Sequence, residues 1–239
     1  MSQRGAVRSL GLSRRRWAYG LGVCVSIVLV VAVLAPMIGV ELVGTERHLA
    51  WLTPWDADSA VAADIFWLRR VPRVIAALIV GGALATAGCA LQALLRNPLA
   101  EPFTLGVSAT SSLAAVLAIR VGVAGALGGF GVGIAAVLGA GVAVFLVIRL
   151  ARVGGALPPA TLLLAGITLS MFAAAASMLV QFTADFAEVS QMLRWMMGGL
   201  DSVREASLWR AGVPALLGAL ALMAWGRTFN AMAAGREAA

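Results

Sequence analysis

VIAALIVGGALATAGCALQALL, residues 74–95, contains no charged side chain. At 1.5 Å of rise per helical residue the stretch reaches about 33 Å, and a bilayer core is roughly 30 Å thick. It is read as a membrane span. Working outward, five more stretches qualify: Trp17–Val40, about Pro102–Ile119, one within Val121–Ile148 whose glycine-rich start forms a turn, about Pro158–Thr183, and about Ala206–Gly226. The expected fold class is all-α: a polytopic membrane helical bundle with about six transmembrane helices, residues 1–239 forming one transmembrane domain. Trp17–Val40 is too long for a signal-peptide core and follows Arg4, Arg8, Arg14, Arg15 and Arg16, so it reads as a retained first span.

Composition points the same way. The chain has 239 residues, 61% hydrophobic and 12% charged, with a mean hydropathy of +0.95. Soluble domains are about a quarter charged, and half that density cannot cover a water-facing surface. A soluble enzyme, a disordered chain and a nucleic-acid-binding domain are therefore excluded, although the net charge of +7 would otherwise suggest the last. All 18 basic residues are Arg. Without Lys there is no phosphate-binding Gly-Lys-Ser/Thr loop, so any ATP used sits on another chain. His48 is the only His, and Cys24 and Cys89 lie in apolar runs. Neither a disulfide framework nor a transition-metal ligand set is expected, and no cofactor is assigned to this chain.

The Arg residues also orient the spans. With the amino terminus in the cytoplasm, the inside segments hold Arg4, Arg8, Arg14, Arg15, Arg16, Arg96, Arg149, Arg152, Arg227 and Arg236 against only Glu101 and Glu237. The outside segments hold the other eight Arg and nine acids. The basic balance is thus a positive-inside signal, and the seven Trp fall near span ends or in outside loops, as an aromatic belt would. The long outside segment runs from Glu41 to Pro72.

Helices in lipid associate through small residues. Ala77, Gly81, Ala85 and Cys89 repeat every four residues, which predicts that the second span is enclosed by other helices. On the fifth span Gly166, Ser170, Ala174, Ser177 and Gln181 share one mildly polar face. That face could line a translocation path, or its hydroxyls and amide could make interhelical hydrogen bonds. No Asp, Glu, Lys or His lies deep within a span, which argues against proton-relay transport. The acid and histidine groups of an intramembrane protease are missing as well. A passive scaffold or an externally powered transporter remains.

Several motifs then follow in order: Arg70-Val-Pro-Arg73, Gly81-Gly-Ala-Leu-Ala-Thr-Ala-Gly88, Gln92, Arg96-Asn-Pro-Leu-Ala-Glu-Pro102, Leu105-Gly-Val-Ser108, Leu162-Leu-Leu-Ala-Gly166 and Trp195-Met-Met-Gly-Gly199. Together they resemble the FecCD-type permeases of bacterial ABC importers, which take up iron-siderophores, haem and cobalamin. The resemblance runs from about Trp17 to the last residue. It implies a transport subunit, not an enzyme, in the bacterial inner (plasma) membrane. The implied partners are ABC ATP-binding subunits that hydrolyse ATP, an extracytoplasmic substrate-binding protein, a second permease copy and membrane lipid; no nucleic acid is involved. The implied cargo is an iron(III)-siderophore-type metal chelate, with cobalamin or haem as the alternative.

Residue roles carry over position by position. Arg70 and Arg73 stand at the outer end of the second span, where guanidinium groups can pair with carboxylates; the resemblance makes them docking residues for the binding protein. Pro98 disfavours helical geometry at Asn97, and by resemblance Asn97 and Leu99 belong to the cytoplasmic gate. The segment from Asn230 through Gly235 and Glu237 resembles the start of the ATPase coupling segment. Two departures stand out. Leu157-Pro-Pro-Ala160 replaces the small hydroxyl residues that often precede the Leu-Leu-Leu-Ala-Gly block. Members of this family also have about ten spans, so six would correspond to about the first two-thirds of one. A truncated, non-transporting remnant and an uncoupled facilitator are the rival readings.

Overall fold

The computed structural model describes residues 14–37, 64, 66–123, 130–152, 154–200 and 205–234. His48 and most of the Glu41–Pro72 segment lie outside the described residues. Regular structure is helical: α1 (Arg14–Leu34), α2 (Val71–Leu95), α3 (Val107–Arg120), α4 (Phe130–Ala151), α5 (Pro159–Phe182), α6 (Phe186–Met197), α7 (Glu205–Ala224) and α8 (Gly226–Ala234). The chain forms two compact units, one reaching to Ile75 with residues 203–205, the other holding residues 76–202 and 206–239.

The first unit contains α1, a 3-10 turn at Ala35–Met37, a π-helical segment at Phe66–Arg70 and the start of α2. Pro72 is tolerated in the first turn of α2, where its missing N–H would have no helical partner. Apolar side chains such as Leu21, Ile27, Leu29 and Val33 are exposed on several sides of α1, as expected of a helix solvated by lipid.

The second unit is organised around α3, which packs against α4, α5 and α6. Its Ala115, Val116 and Ile119 form a buried cluster with Val132 of α4 and Met192 of α6. A second cluster joins Ala143 and Val147 of α4 to Leu169 of α5. Close approach is bought with small residues. A Cβ on Gly139 of α4 would meet Ala114 Cβ at 2.6 Å and the Thr110 carbonyl oxygen at 2.9 Å. Ser111 Oγ, one residue on from Thr110, donates to the Ala136 carbonyl at 2.5 Å.

One expectation is corrected. The stretch Pro102–Ile119 is not one continuous span. Pro102 starts a 3-10 turn (Pro102–Leu105), Gly106 ends it with φ +74°, and α3 has only 14 residues. At 1.5 Å per residue that is about 21 Å, short of a bilayer core. By length and composition α1, α2, α4 and α5 can cross a membrane, and α7 with α8, bent by 54°, forms a fifth candidate. On the small-residue stripe of α2, Ala77, Gly81, Ala85 and Cys89 are exposed among the described residues. The enclosed helix is α3.

Candidate functional site

The turn that follows α2 is built by local hydrogen bonds. Arg96 takes a left-handed conformation, φ +49°, directly after the helix ends. The Asn97 N–H then donates back to the Gln92 carbonyl at 3.2 Å, satisfying one of the carbonyls that a helix end leaves open. Asn97 Oδ1 accepts the Leu99 N–H at 3.0 Å, an Asx-type turn. The Ala100 N–H donates to the Asn97 carbonyl at 3.1 Å, and Ala100 is buried. Asn97 is therefore the keystone of a fixed turn, and Leu99, 81% exposed, is held out at its tip. Asn97 and Leu99, the expected gate pair, stand together.

The chain next enters the 3-10 turn. Thr104 donates to the Glu101 carbonyl through its N–H at 3.1 Å and its Oγ1 at 2.7 Å. Gly106 closes the turn, its N–H donating to Phe103, and its carbonyl accepts both the N–H and Oγ1 of Thr110. This segment rests on α5. A Cβ on Gly166 would strike the Thr104 carbonyl oxygen and approach Leu105 Cα to 2.7 Å. A Cβ on Gly106 would meet the Gly166 carbonyl oxygen at 2.7 Å and Ser170 Oγ at 3.2 Å.

That contact covers part of the α5 face. Gly166 and Ser177 are buried, and Ser170 is half-buried. Ser170 Oγ donates to Gly166 O at 2.9 Å and Ser177 Oγ to Ala173 O at 2.8 Å, so both hydroxyls are satisfied by their own helix. Gln181 Nε2 donates to Met196 Sδ of α6 at 3.4 Å. Among the described residues Gly166, Ser170 and Ser177 sit in helix packing, where small residues let the neighbouring backbone approach.

Arg70 and Arg73 lie at the start of α2, one turn apart. Arg70 is half-buried, and its Nη1 donates to the Pro36 carbonyl at 3.0 Å. One edge of its guanidinium thus fixes the 3-10 turn after α1, leaving other donors for a carboxylate. Arg73 is exposed.

Asn230 lies exposed on α8; Gly235 and Glu237 fall outside the described residues. Sequence reasoning missed a contact made by α8. Arg96 Nε donates to the Met232 carbonyl at 2.8 Å, bringing the turn after α2 to the last turn of α8. A cation just beyond a helix end, free to donate to a carbonyl of another element, was the signal that could have shown it. The segment Arg194–Leu200 spans the end of α6 and its glycine-rich exit. Asp185 and Glu188 form a reciprocal capping box at the start of α6. Glu188 also pairs with Arg120, the last residue of α3, at 3.2 Å.

Comparison with known proteins identifies the family. The FecCD transport family matches residues 26–239. The vitamin B12 import system permease protein BtuC of Klebsiella pneumoniae subsp. pneumoniae is 35% identical over 196 residues, 82% of this chain and 54% of that protein. Its Escherichia coli O127:H6 counterpart is 34% identical over 81% of this chain and 57% of that protein. The Salmonella paratyphi A protein is 38% identical over 66% of this chain and 48% of that protein. The chain spans about half the length of these curated relatives. A solved ABC transporter assigned to the metal-chelate type, in an inward-facing conformation, superposes with a TM-score of 0.73 at 24% identity. The superposition covers 92% of this chain and 65% of that one, and shows a shared fold.

Proposed function

The chain belongs to the FecCD transport family, and from that premise we propose that it acts as a transmembrane permease subunit of an ABC importer for a metal chelate. It is not itself the ATPase: ATP-binding subunits power it from the cytoplasm, a binding protein delivers the chelate outside, and a second permease copy completes the path. The chain lies in the bacterial inner membrane with its amino terminus cytoplasmic, in keeping with the inside excess of Arg. The observation that carries the reading is the family match over residues 26–239.

The cargo reading moves from an iron(III)-siderophore to a corrinoid. Three relatives, at 34–38% identity, are named as vitamin B12 import permeases, and none of them as a siderophore permease. In this reading Asn97 and Leu99 form the cytoplasmic gate, Arg70 and Arg73 dock the binding protein, and the segment Asn230–Glu237 begins the ATPase contact. Gln181, at the end of α5 and bonded to α6, is the one member of the α5 stripe kept as a path residue.

The test is accumulation of labelled cyanocobalamin and of a labelled ferric siderophore by cells that lack their own permeases and express this chain with its partners. Cobalamin accumulation is expected. Uptake of the siderophore alone would return the cargo to iron. Uptake that persists with an inactivated ATPase would reject the importer in favour of a facilitator.

A further inference from the structure

Arg96 combines two features that rarely meet. Its backbone is left-handed, φ +49°, at the position after a helix where glycine is the usual residue. Arginine gains nothing there from its backbone and pays a steric cost for its Cβ. Its side chain, however, crosses to another element: Nε–H donates to the Met232 carbonyl at 2.8 Å. Met232 lies near the end of the described part of α8. A hydrogen bond from a charged guanidinium to its carbonyl is stronger than one from a neutral donor. The next residue, Asn97, holds the Leu99 N–H through Oδ1 at 3.0 Å. A short series of bonds thus runs from α8 through Arg96 and Asn97 to Leu99, with Arg96 making the hydrogen bond to α8.

We infer that Arg96 is a positioning residue that transmits displacement of α8 to the Asn97–Leu99 turn, so that motion of the ATPase-facing segment moves the gate. The inference rests on the roles proposed above for that turn and that helix. It follows from direct contact: the turn is internally fixed by its own hydrogen bonds, so it moves as a body when pulled at Arg96. Arg96 does not touch the cargo and has no catalytic part.

Arg96→Gly isolates the side chain, because glycine accepts the left-handed backbone without strain. The cap on α2 is kept and only the tether is lost. Arg96→Asn, which also tolerates this conformation, is the second variant should the first assemble poorly. Arg96→Lys keeps a cationic donor and should rescue in part. Two readouts are taken on the complete transporter in nanodiscs and proteoliposomes. The first is amide exchange across residues 228–234. Arg96→Gly should speed it about 2- to 12-fold, the range equivalent to one net hydrogen bond. The second is cobalamin taken up per ATP hydrolysed, which should fall in Arg96→Gly and recover partly in Arg96→Lys. A purely structural loss would lower uptake and hydrolysis together and leave that ratio unchanged. Unchanged exchange, or faster exchange with an unchanged ratio, overturns the role of Arg96. Absence of ATP-driven uptake in the wild type overturns the permease reading itself, and the role with it.

Discussion

Replacing Gly166 with Ala should weaken the second unit, and the size of the effect can be worked from the contact. The new methyl would meet the Thr104 carbonyl oxygen, Leu105 Cα at 2.7 Å and Leu105 C at 2.9 Å. All three are backbone atoms, so no flexible side chain can yield. The 3-10 turn must lift off α5, or α5 must shift from α3. Overpacking of this kind costs about 1–3 kcal/mol, a factor of roughly 5 to 150 in the folding equilibrium. Gly106→Ala meets the reciprocal wall, the Gly166 carbonyl oxygen at 2.7 Å, and adds a left-handed backbone at φ +74°. That conformation costs a further 1–2 kcal/mol, roughly, for a residue with a Cβ. The double variant should cost less than the sum, because one displacement of the turn relieves both clashes. The assay is equilibrium unfolding in mixed micelles of dodecyl maltoside and SDS. Gly82→Ala on α2, where an added Cβ meets nothing within 4 Å, serves as the control and should be near neutral. Gly166→Ala within about 0.5 kcal/mol of wild type would refute the seating of the turn on α5.

Five further outcomes are expected. Ser177→Cys, introduced with Cys24 and Cys89 changed to Ser, should resist a membrane-impermeant maleimide with and without ATP, because residue 177 is 2% exposed and packed; ready labelling would restore it to a water-filled path. Asp185→Ala should cost about 1 kcal/mol through loss of the α6 cap, read in the same micelle titration. Glu188→Gln should cost less than about 1 kcal/mol, because its pair with Arg120 is partly solvated, and a larger loss would mean that the pair holds more than the cap. Changing Arg70 and Arg73 together to Glu should weaken binding-protein association most at low salt, where surface charge is least screened; equal affinity at low ionic strength would end the docking role. Arg73→Glu alone leaves the Arg70–Pro36 hydrogen bond in place and so tests the second guanidinium by itself.

The long uncharged stretches were legible because lipid imposes length and apolarity directly on sequence. Residues 74–95 end at Leu95 in both the pattern and the structure, and Pro98 with Asn97 marks the turn in each. Packing partners were less legible. The four-residue stripe of α2 shows that a close neighbour can be accommodated, but spacing alone cannot say whether this chain supplies one. The same limit governs the α5 face: serine at helical spacing suits a wet path and a dry contact equally. The backbone of Leu105 lying against Gly166 could not be read from that spacing. The third span misled for a different reason. Hydropathy continues through Pro102–Leu105, but the proline and the left-handed Gly106 reset the backbone, leaving α3 short and enclosed. Arg96 was hidden by sequence distance, since its partner lies 136 residues away.

The central claim is ATP-driven permeation, and it is tested most directly in proteoliposomes containing this chain, its ATP-binding subunits and its binding protein. Labelled cyanocobalamin is followed with ATP or with a non-hydrolysable analogue on the ATPase side. The account predicts accumulation that requires hydrolysis and stops when the binding protein is left out. Equal cobalamin flux with the analogue, or no flux of any metal chelate under either condition, would contradict it.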